Sequence, residues 1–364
     1  MDLITGTLNG IIAFIILLPI VVFVHEFGHF LFARINGVKV EAFSIGFGKT
    51  ILHWTDKYQT EWKICAIPLG GYVKMLGQSD TPETEKEREN KNKKLSIKEK
   101  LQSFEFKKRY QKASIVLAGP LFNFIFGFII FFAIFTFKGT PTTQSVVMSV
   151  IKDSPAYTAG IKEGDIITAI NKTPIYKSHE VSNLIKSSNS NTINVEILRN
   201  NKQLNFTIVP TSIDGSRIIG LSYSTHINNY THVNTITAIK LAYNETKDIV
   251  TETLKSLKEI IYGTRSSSEL GGMISIAKVS GKALSSGFYT FVYLIAFISI
   301  SLGLFNILPI PVLDGGYLFI YIIEGIIRRD IPNRIKEKLF LVGFILIIGL
   351  LLLSNTNDII RIIK

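Results

Sequence analysis

The chain has 364 residues, 47% of them hydrophobic and 19% charged, with a net charge of +12 and a mean hydropathy of +0.30. That mean, with the apolar residues clumped in long runs, excludes an ordinary soluble enzyme and points to the membrane class. The positive charge reads as Lys and Arg gathered in cytoplasmic loops. It does not read as a nucleic-acid surface, because no basic-aromatic motif for RNA or DNA is present.

The first apolar run, Leu3 to Val24, is uncharged and resumes after two histidines until Arg34. It is too long for a signal-peptide core and no small-residue cleavage site follows, so residues 1–37 are expected to form a spanning helix with HEFGH near its end. Residues 38–78 alternate apolar and polar side chains, as in KICAIPLGGYVKML, and are punctuated by Gly46, Gly48, Gly70 and Gly71. These are strand and turn signals. Directly after a span, they predict a small sheet dipping toward the membrane, where irregular backbone must be buried in protein or line a wet cavity. The single cysteine, Cys65, lies in this region. It excludes an intramolecular disulfide and, with no His or Asn motif beside it, reads as a buried structural thiol. Residues 79–112 are a charged loop, in which Thr81 to Lys100 reads as a mobile loop or a solvated helix.

A second span covers 113–137. Residues 138–225 form an inserted α+β domain: SVVMSVI, DIITAI, TINVEIL and QLNFTIV are β-like, with SPAYTAGI and SHEVSNLIKSS helix-like between them. In the connecting segment 226–282, Thr235 to Tyr262 is an amphipathic helix that leans either on that domain or on the membrane face. A third apolar run, Ala283 to Leu313, lies in the spanning segment 283–323. A basic loop, 324–338, precedes a fourth span at 339–357. Lys and Arg crowd the loops 79–112 and 324–338, which places both in the cytoplasm and the inserted domain outside.

Two histidines and a glutamate in a membrane run demand a function, since intramembrane ionisable groups are rare. His25 and His29 are one helical turn apart, so both imidazoles leave one face of the helix. That spacing suits two ligands of one zinc ion, with Glu26 able to reach a metal-bound water as general base. A catalytic zinc takes a third protein ligand. The other four histidines, His53, His179, His226 and His232, lie in polar regions, which leaves Asp314 in NILPIPVLDGG as the candidate. Pro309 and Pro311 break the helix there, and Gly315 and Gly316 let the chain turn back. The alternative role for Asp314 is an N-cap of the following helix.

HEFGH in the first span together with NILPIPVLDGG in the third resembles the site-2 protease family of intramembrane zinc metalloproteases, within it the bacterial regulator-of-sigma-E protease branch. AGPLFN (Ala118 to Asn123) looks like that family's second-span motif. FSIGFG and IPLGGYVKMLG look like its membrane-reentrant β-region, and SPAYTAGIKEGDIITAIN resembles its PDZ domain. The resemblance implies one Zn2+ per chain held by His25, His29 and Asp314, Glu26 as base, and Asn306 beside the substrate. It implies an α-helical polytopic membrane protein of about four transmembrane helices, with a membrane-reentrant β-region and an inserted PDZ-like α+β domain, in the bacterial cytoplasmic membrane. Two features depart from it: one PDZ-like domain where some relatives have two, and Gly272 where relatives commonly carry proline.

A helical substrate hides its carbonyls, so it must unwind before hydrolysis. A strand offered by the β-region, in Phe43 to Gly48 and Ile67 to Val73, pairs with the extended peptide on this view, which makes Gly46, Phe47, Gly48, Gly70 and Gly71 substrate-binding, the alternative being a purely structural sheet. The expected partners are the lipid bilayer, transmembrane protein substrates such as anti-sigma factors already trimmed outside, signal-peptide remnants, and peptide or protein termini at the PDZ-like domain, with no nucleic acid. Two rivals stand beside the protease: a membrane-anchored PDZ scaffold with a structural metal, and a metal-ion transporter, although no internal repeat is visible.

Overall fold

The computed structural model describes residues 2–78, 96–175, 178–188, 190–213 and 216–363. Most of the charged loop that was expected to be mobile or a solvated helix lies outside the described residues. Its described end is a short helix, α2 (Ile97–Gln102), closed by a Ser96/Glu99 capping box.

Among the described residues, four helices are long and apolar enough to cross a bilayer: α1 (Asp2–Ile35), α3 (Arg109–Phe137), α8 (Phe288–Ile307) and α10 (Asn333–Ile363). The third apolar run is not one helix. It breaks after Ile307, and a separate helix of 14 residues, α9 (Asp314–Ile327), begins at the aspartate. Pro309 and Pro311 forbid helix continuation, and Val312 takes a φ of 87° to reverse the chain. That conformation is strained for a β-branched residue. Gly315 and Gly316 do not supply the turn expected of them, because neither has a positive φ. They supply space: a Cβ on Gly315 would lie 2.2 Å from the carbonyl oxygens of Ile307 and Leu308, and one on Gly316 would lie 2.4 Å from that of Ile310. The first turn of α9 is thereby seated on the end of α8.

The helices approach one another through small residues, as apolar packing without a hydrophobic driving force requires. Gly10 of α1 meets Gly281 of α7 (Met273–Ser285), where a Cβ on Gly281 would lie 2.6 Å from the Gly10 Cα. Gly28 of α1 rests on the carbonyl of Ala118 in α3, at 2.4 Å from an added Cβ. Gly272 precedes α7, and its N–H donates to Asp358 of α10 at 3.0 Å. Proline lacks that donor, which accounts for glycine at this position.

Between α1 and α2 lie two long strands, β1 (Val40–Thr55) and β2 (Glu61–Met75). Their ends pair antiparallel, Phe43 with Val73 and Trp54 with Trp62. In addition, Ala42 to Ile45 lie beside Glu61 to Ile64, with both segments running in the same direction. The chain therefore folds twice on itself and leaves Gly71 to Met75 as one edge. Phe43 is fully buried against Phe23, Phe30 and Trp62, which fixes the sheet to α1. Phe47, Ile67 and Leu69 are exposed at the bend at the other end of the sheet, and Ile51, Leu52 and Trp54 are exposed along its outer segment.

A second compact unit comprises Phe135–Ala238. Its sheet has the order β10-β3-β4-β6-β7, from Leu221–Thr231, Thr140–Val150, Ile166–Ile170, Ile193–Arg199 and Lys202–Ile208, with β5 (Thr173–Pro174) on β4. A small hairpin, β8 (Thr211–Ile213) and β9 (Ser216–Ile218), stands apart from this sheet. Val147, Ile170, Val181, Ile193, Val195 and Ile197 form the core under α4 (Pro155–Ala159) and α5 (Ser178–Ser187). Strand β10 ends at Thr231, beyond the expected boundary at 225, and the amphipathic helix α6 is Thr235–Ile261.

Candidate metal centre and active site

His25 and His29 face the same side of α1, both are buried, and their Nε2 atoms are 3.3 Å apart. Asp314 enters from the start of α9, its Oδ2 3.2 Å from His25 Nε2 and 3.4 Å from His29 Nε2. The N-cap position belongs to Leu313 and no side chain caps the helix. The carboxylate is therefore turned to the histidines and does not serve as a cap. Its Oδ2 is buried yet makes no well-aligned hydrogen bond to either ring. The three donor atoms converge on a common point instead of on one another.

That triangle fits zinc. Bonds of about 2.0–2.1 Å in a tetrahedron put ligand atoms about 3.3–3.4 Å apart, and the three edges here are 3.2, 3.3 and 3.4 Å. Two imidazole nitrogens and one carboxylate leave a fourth position open, as a hydrolytic site needs.

The His29 ring is held from behind. Its Nδ1–H donates to the Ile115 carbonyl of α3 at 2.9 Å, and a carbonyl only accepts, so the lone pair is left on Nε2. Gly119 is required at the same crossing, since a Cβ there would sit 2.3 Å from His29 Nε2. The His25 ring faces Asn123 of α3, whose amide is 3.2 Å from Nδ1 and is itself fully buried beside Ser299 of α8. In sequence, Asn123 is only the last residue of AGPLFN. Its role was invisible in sequence because its partners come from two other helices.

Glu26 lies half-buried against the sheet, where a Cβ on Gly71 would come within 3.1 Å of its Cγ, 2.9 Å of Val22 Cγ1 and 2.7 Å of the Ser44 carbonyl. Of the expected substrate positions, Gly71 is thus at the site. Gly46, Phe47, Gly48 and Gly70 sit farther along, at the bend of the sheet. Gly46 has a φ of 88° and lies under the Ile67 carbonyl, and Gly70 has a φ of 139° and lies under the Phe47 ring. Both demand glycine. Asn306 is half-buried in the last turn of α8, outside the donor trio. Cys65 is buried and free, next to the Ser44 hydroxyl at 3.4 Å.

A membrane-helix bundle that closes on an HExxH pair and an aspartate defines a class, the membrane metalloproteases. A profile of peptidase family M50 matches residues 13–350, and the chain belongs to that family, the site-2 proteases. It is 35% identical over 367 residues to a protein of Agrobacterium fabrum named provisionally as a zinc metalloprotease, covering 98% of this chain and 97% of that one. A Rickettsia conorii protein with the same provisional name is 36% identical, covering 96% and 98%. The metalloprotease MmpA of Caulobacter vibrioides is 30% identical, covering 98% and 96%. Among solved structures, the PDZ domain of the SdrC-like protein of Listeria monocytogenes is 30% identical, with a TM-score of 0.20, over 22% of this chain and 85% of that domain. The chain is a zinc-dependent metalloprotease of the membrane, and membership decides against the scaffold and transporter readings.

Proposed function

We propose that this enzyme hydrolyses peptide bonds within transmembrane segments, with zinc held by His25, His29 and Asp314 and with Glu26 as general base. The observation that carries the reading is the triangle of 3.2, 3.3 and 3.4 Å edges beside a glutamate on the same helical turn. Zinc bound there supplies Lewis acidity, polarising the scissile carbonyl and acidifying a water. Glu26 takes the proton of that water and returns it to the leaving amine. Gly71 leaves the glutamate unobstructed and offers the edge Gly71 to Met75, along which an unwound substrate adds as a strand. The exposed apolar bend formed by Phe47, Ile67 and Leu69 supports a sheet that dips into the bilayer.

The substrates of this reading are single-span proteins already trimmed outside, anti-sigma factors among them, and signal-peptide remnants. The unit Phe135–Ala238 is PDZ-like and receives their trimmed termini: β10 stands at the sheet edge, and Tyr223 on it hydrogen-bonds Ser182 of α5 at 2.9 Å. This unit faces outside, and the loops 79–112 and 324–338 face the cytoplasm. With Cys65→Ser as background, cysteine at exposed Lys202 reacts with an impermeant thiol reagent in intact cells and cysteine at exposed Lys98 reacts only after lysis. The reverse pattern overturns the orientation.

The chemistry is tested by two variants of the full chain. Glu26→Gln keeps zinc and loses about 10²–10⁴-fold in turnover of a transmembrane substrate. Asp314→Ala loses zinc together with turnover. Zinc lost in the first variant, or kept with full turnover in the second, defeats the assignment.

A further inference from the structure

His25 and His29 look equivalent in sequence, but their outer nitrogens meet different partners. His29 Nδ1 meets a backbone carbonyl, which settles its proton. His25 Nδ1 meets the amide of Asn123, which offers either an oxygen or an NH₂. If Nε2 of His25 is to hold a metal, Nδ1 carries the proton and needs an acceptor. An Asn123 NH₂ turned to His25 at 3.2 Å would set donor against donor.

The other end of the amide fixes its orientation. Ser299 Oγ lies 3.0 Å from the Asn123 backbone carbonyl and 3.3 Å from the far atom of its amide. With Oδ1 at that far position, one hydroxyl proton would have to serve two acceptors. Turned over, the amide makes every bond good: His25 Nδ1–H donates to Asn123 Oδ1, Asn123 Nδ2–H donates to Ser299 Oγ, and Ser299 Oγ–H donates to the Asn123 carbonyl. Oxygen and nitrogen of an amide are assigned from such networks. Both side chains are fully buried, where an unmade bond is costly.

We infer that Asn123 and Ser299 are positioning residues that hold His25 as the Nδ1-protonated tautomer, with its Nε2 lone pair aimed at the metal. This rests on the assignment of His25 as a zinc ligand. The arrangement also accounts for Gly303, since the carbonyl of Pro120 would lie 2.9 Å and Asn123 Cβ 3.2 Å from a Cβ there. Glycine lets α8 come close enough for Ser299 to reach the amide.

The test measures zinc affinity of the purified full-length protein by competition with a chromophoric chelator, and the visible spectrum after cobalt substitution. Asn123→Leu keeps the volume and removes the acceptor, so zinc affinity should fall about 10–100-fold, with a changed cobalt spectrum. Asn123→Asp restores an acceptor for His25 Nδ1–H and should bind zinc at least as well as the native chain. A space-filling Asn123 predicts the opposite order, with leucine tolerated and a buried carboxylate harmful. Ser299→Ala frees the amide to turn and should weaken zinc by a smaller factor, while Ser299→Thr recovers it. Native affinity in a folded Asn123→Leu protein overturns the inference. If that variant does not fold, native affinity in Ser299→Ala does so. His29→Ala and Asp314→Ala are the controls, because native zinc binding in both would sink the ligand assignment itself.

Discussion

Two aspartates, one in each compact unit, are held in different ways. In the unit Phe135–Ala238, Asp165 is 1% exposed, and both of its oxygens meet Arg199 at 2.6 Å in a bidentate pair. The Lys162 amide adds a third bond at 2.8 Å, and the same guanidinium also donates to the Gly160 carbonyl at 2.8 Å. In the helix bundle, Asp314 faces two imidazoles, and its Oδ2 has no aligned donor at all. A carboxylate whose charge is matched by a guanidinium is finished structure. One that converges with two lone pairs on a common point is a site for a cation. The Asp314 side chain is 20% exposed against 1% for Asp165, yet what separates a site from structure is the count of satisfied bonds.

The same substitution at both positions sharpens this contrast. Asp314→Asn should lower zinc affinity by more than about 100-fold, beyond what loss of an outer-shell partner produces, and should leave the fold of the zinc-free chain intact. Asp165→Asn should leave zinc content unchanged and destabilise the inserted unit by about 3 kcal/mol, because Arg199 loses its counter-charge. Limited proteolysis within 136–238 of the full chain, beside metal analysis, checks both. Zinc loss in Asp165→Asn, or proteolytic sensitivity in Asp314→Asn, would erase the distinction.

A third substitution probes the sheet against the bundle. Gly71→Ala crowds a methyl group between the Ser44 carbonyl at 2.7 Å, Val22 Cγ1 at 2.9 Å and Glu26 Cγ at 3.1 Å, so the edge of β2 and the glutamate must move apart. Turnover should fall roughly 10- to 100-fold, a loss of the size expected when a catalytic group is displaced by a fraction of an ångström, while zinc content stays native. Native turnover in this variant would show that the edge of β2 does not govern the glutamate.

The metal donors were legible in sequence because a helix period and a broken apolar run are local patterns. HEFGH fixes its own geometry, and the prolines around Leu308 to Val312 mark where the backbone leaves the helix. The local patterns misled where the cause was spatial. Gly315 and Gly316 read as turn residues, but the reversal falls on Val312 and the glycines serve close contact. The double use of Ala42 to Ile45, paired with both ends of β2, is not written in an alternating pattern. Asn123, Ser299 and Gly303 are ordinary residues of apolar helices until α1, α3 and α8 are brought together. The Gly272 departure likewise makes sense only beside Asp358.

The smallest effect expected concerns the turn between β1 and β2, where a third carboxylate is satisfied without being deeply buried. Asp56 accepts from the amides of Tyr58 at 2.8 Å and Thr60 at 3.0 Å, from the Trp62 indole at 3.2 Å and from Arg34 at 2.5 Å. Burial pushes its pKa up, but bonds from Thr60, Trp62, Arg34 and Tyr58 outweigh this and hold it down at about 2, against an ordinary 3.8. A carboxyl depressed in the folded state stabilises above its unfolded pKa and loses that contribution as pH falls through the folded one. The contribution is roughly 2 kcal/mol, present in full above about pH 4 and gone near pH 2. The chain has 2 tryptophans, Trp54 and Trp62, and both lie on this hairpin, their rings stacked at 5.9 Å. Tryptophan emission of the full chain therefore reports the turn directly. It should hold steady down to about pH 4 and change between there and pH 2. In Asp56→Asn the emission should already be altered at neutral pH and show no further step in that window. An unchanged step in Asp56→Asn would assign the transition to other carboxylates and leave the Asp56 turn without an energetic role.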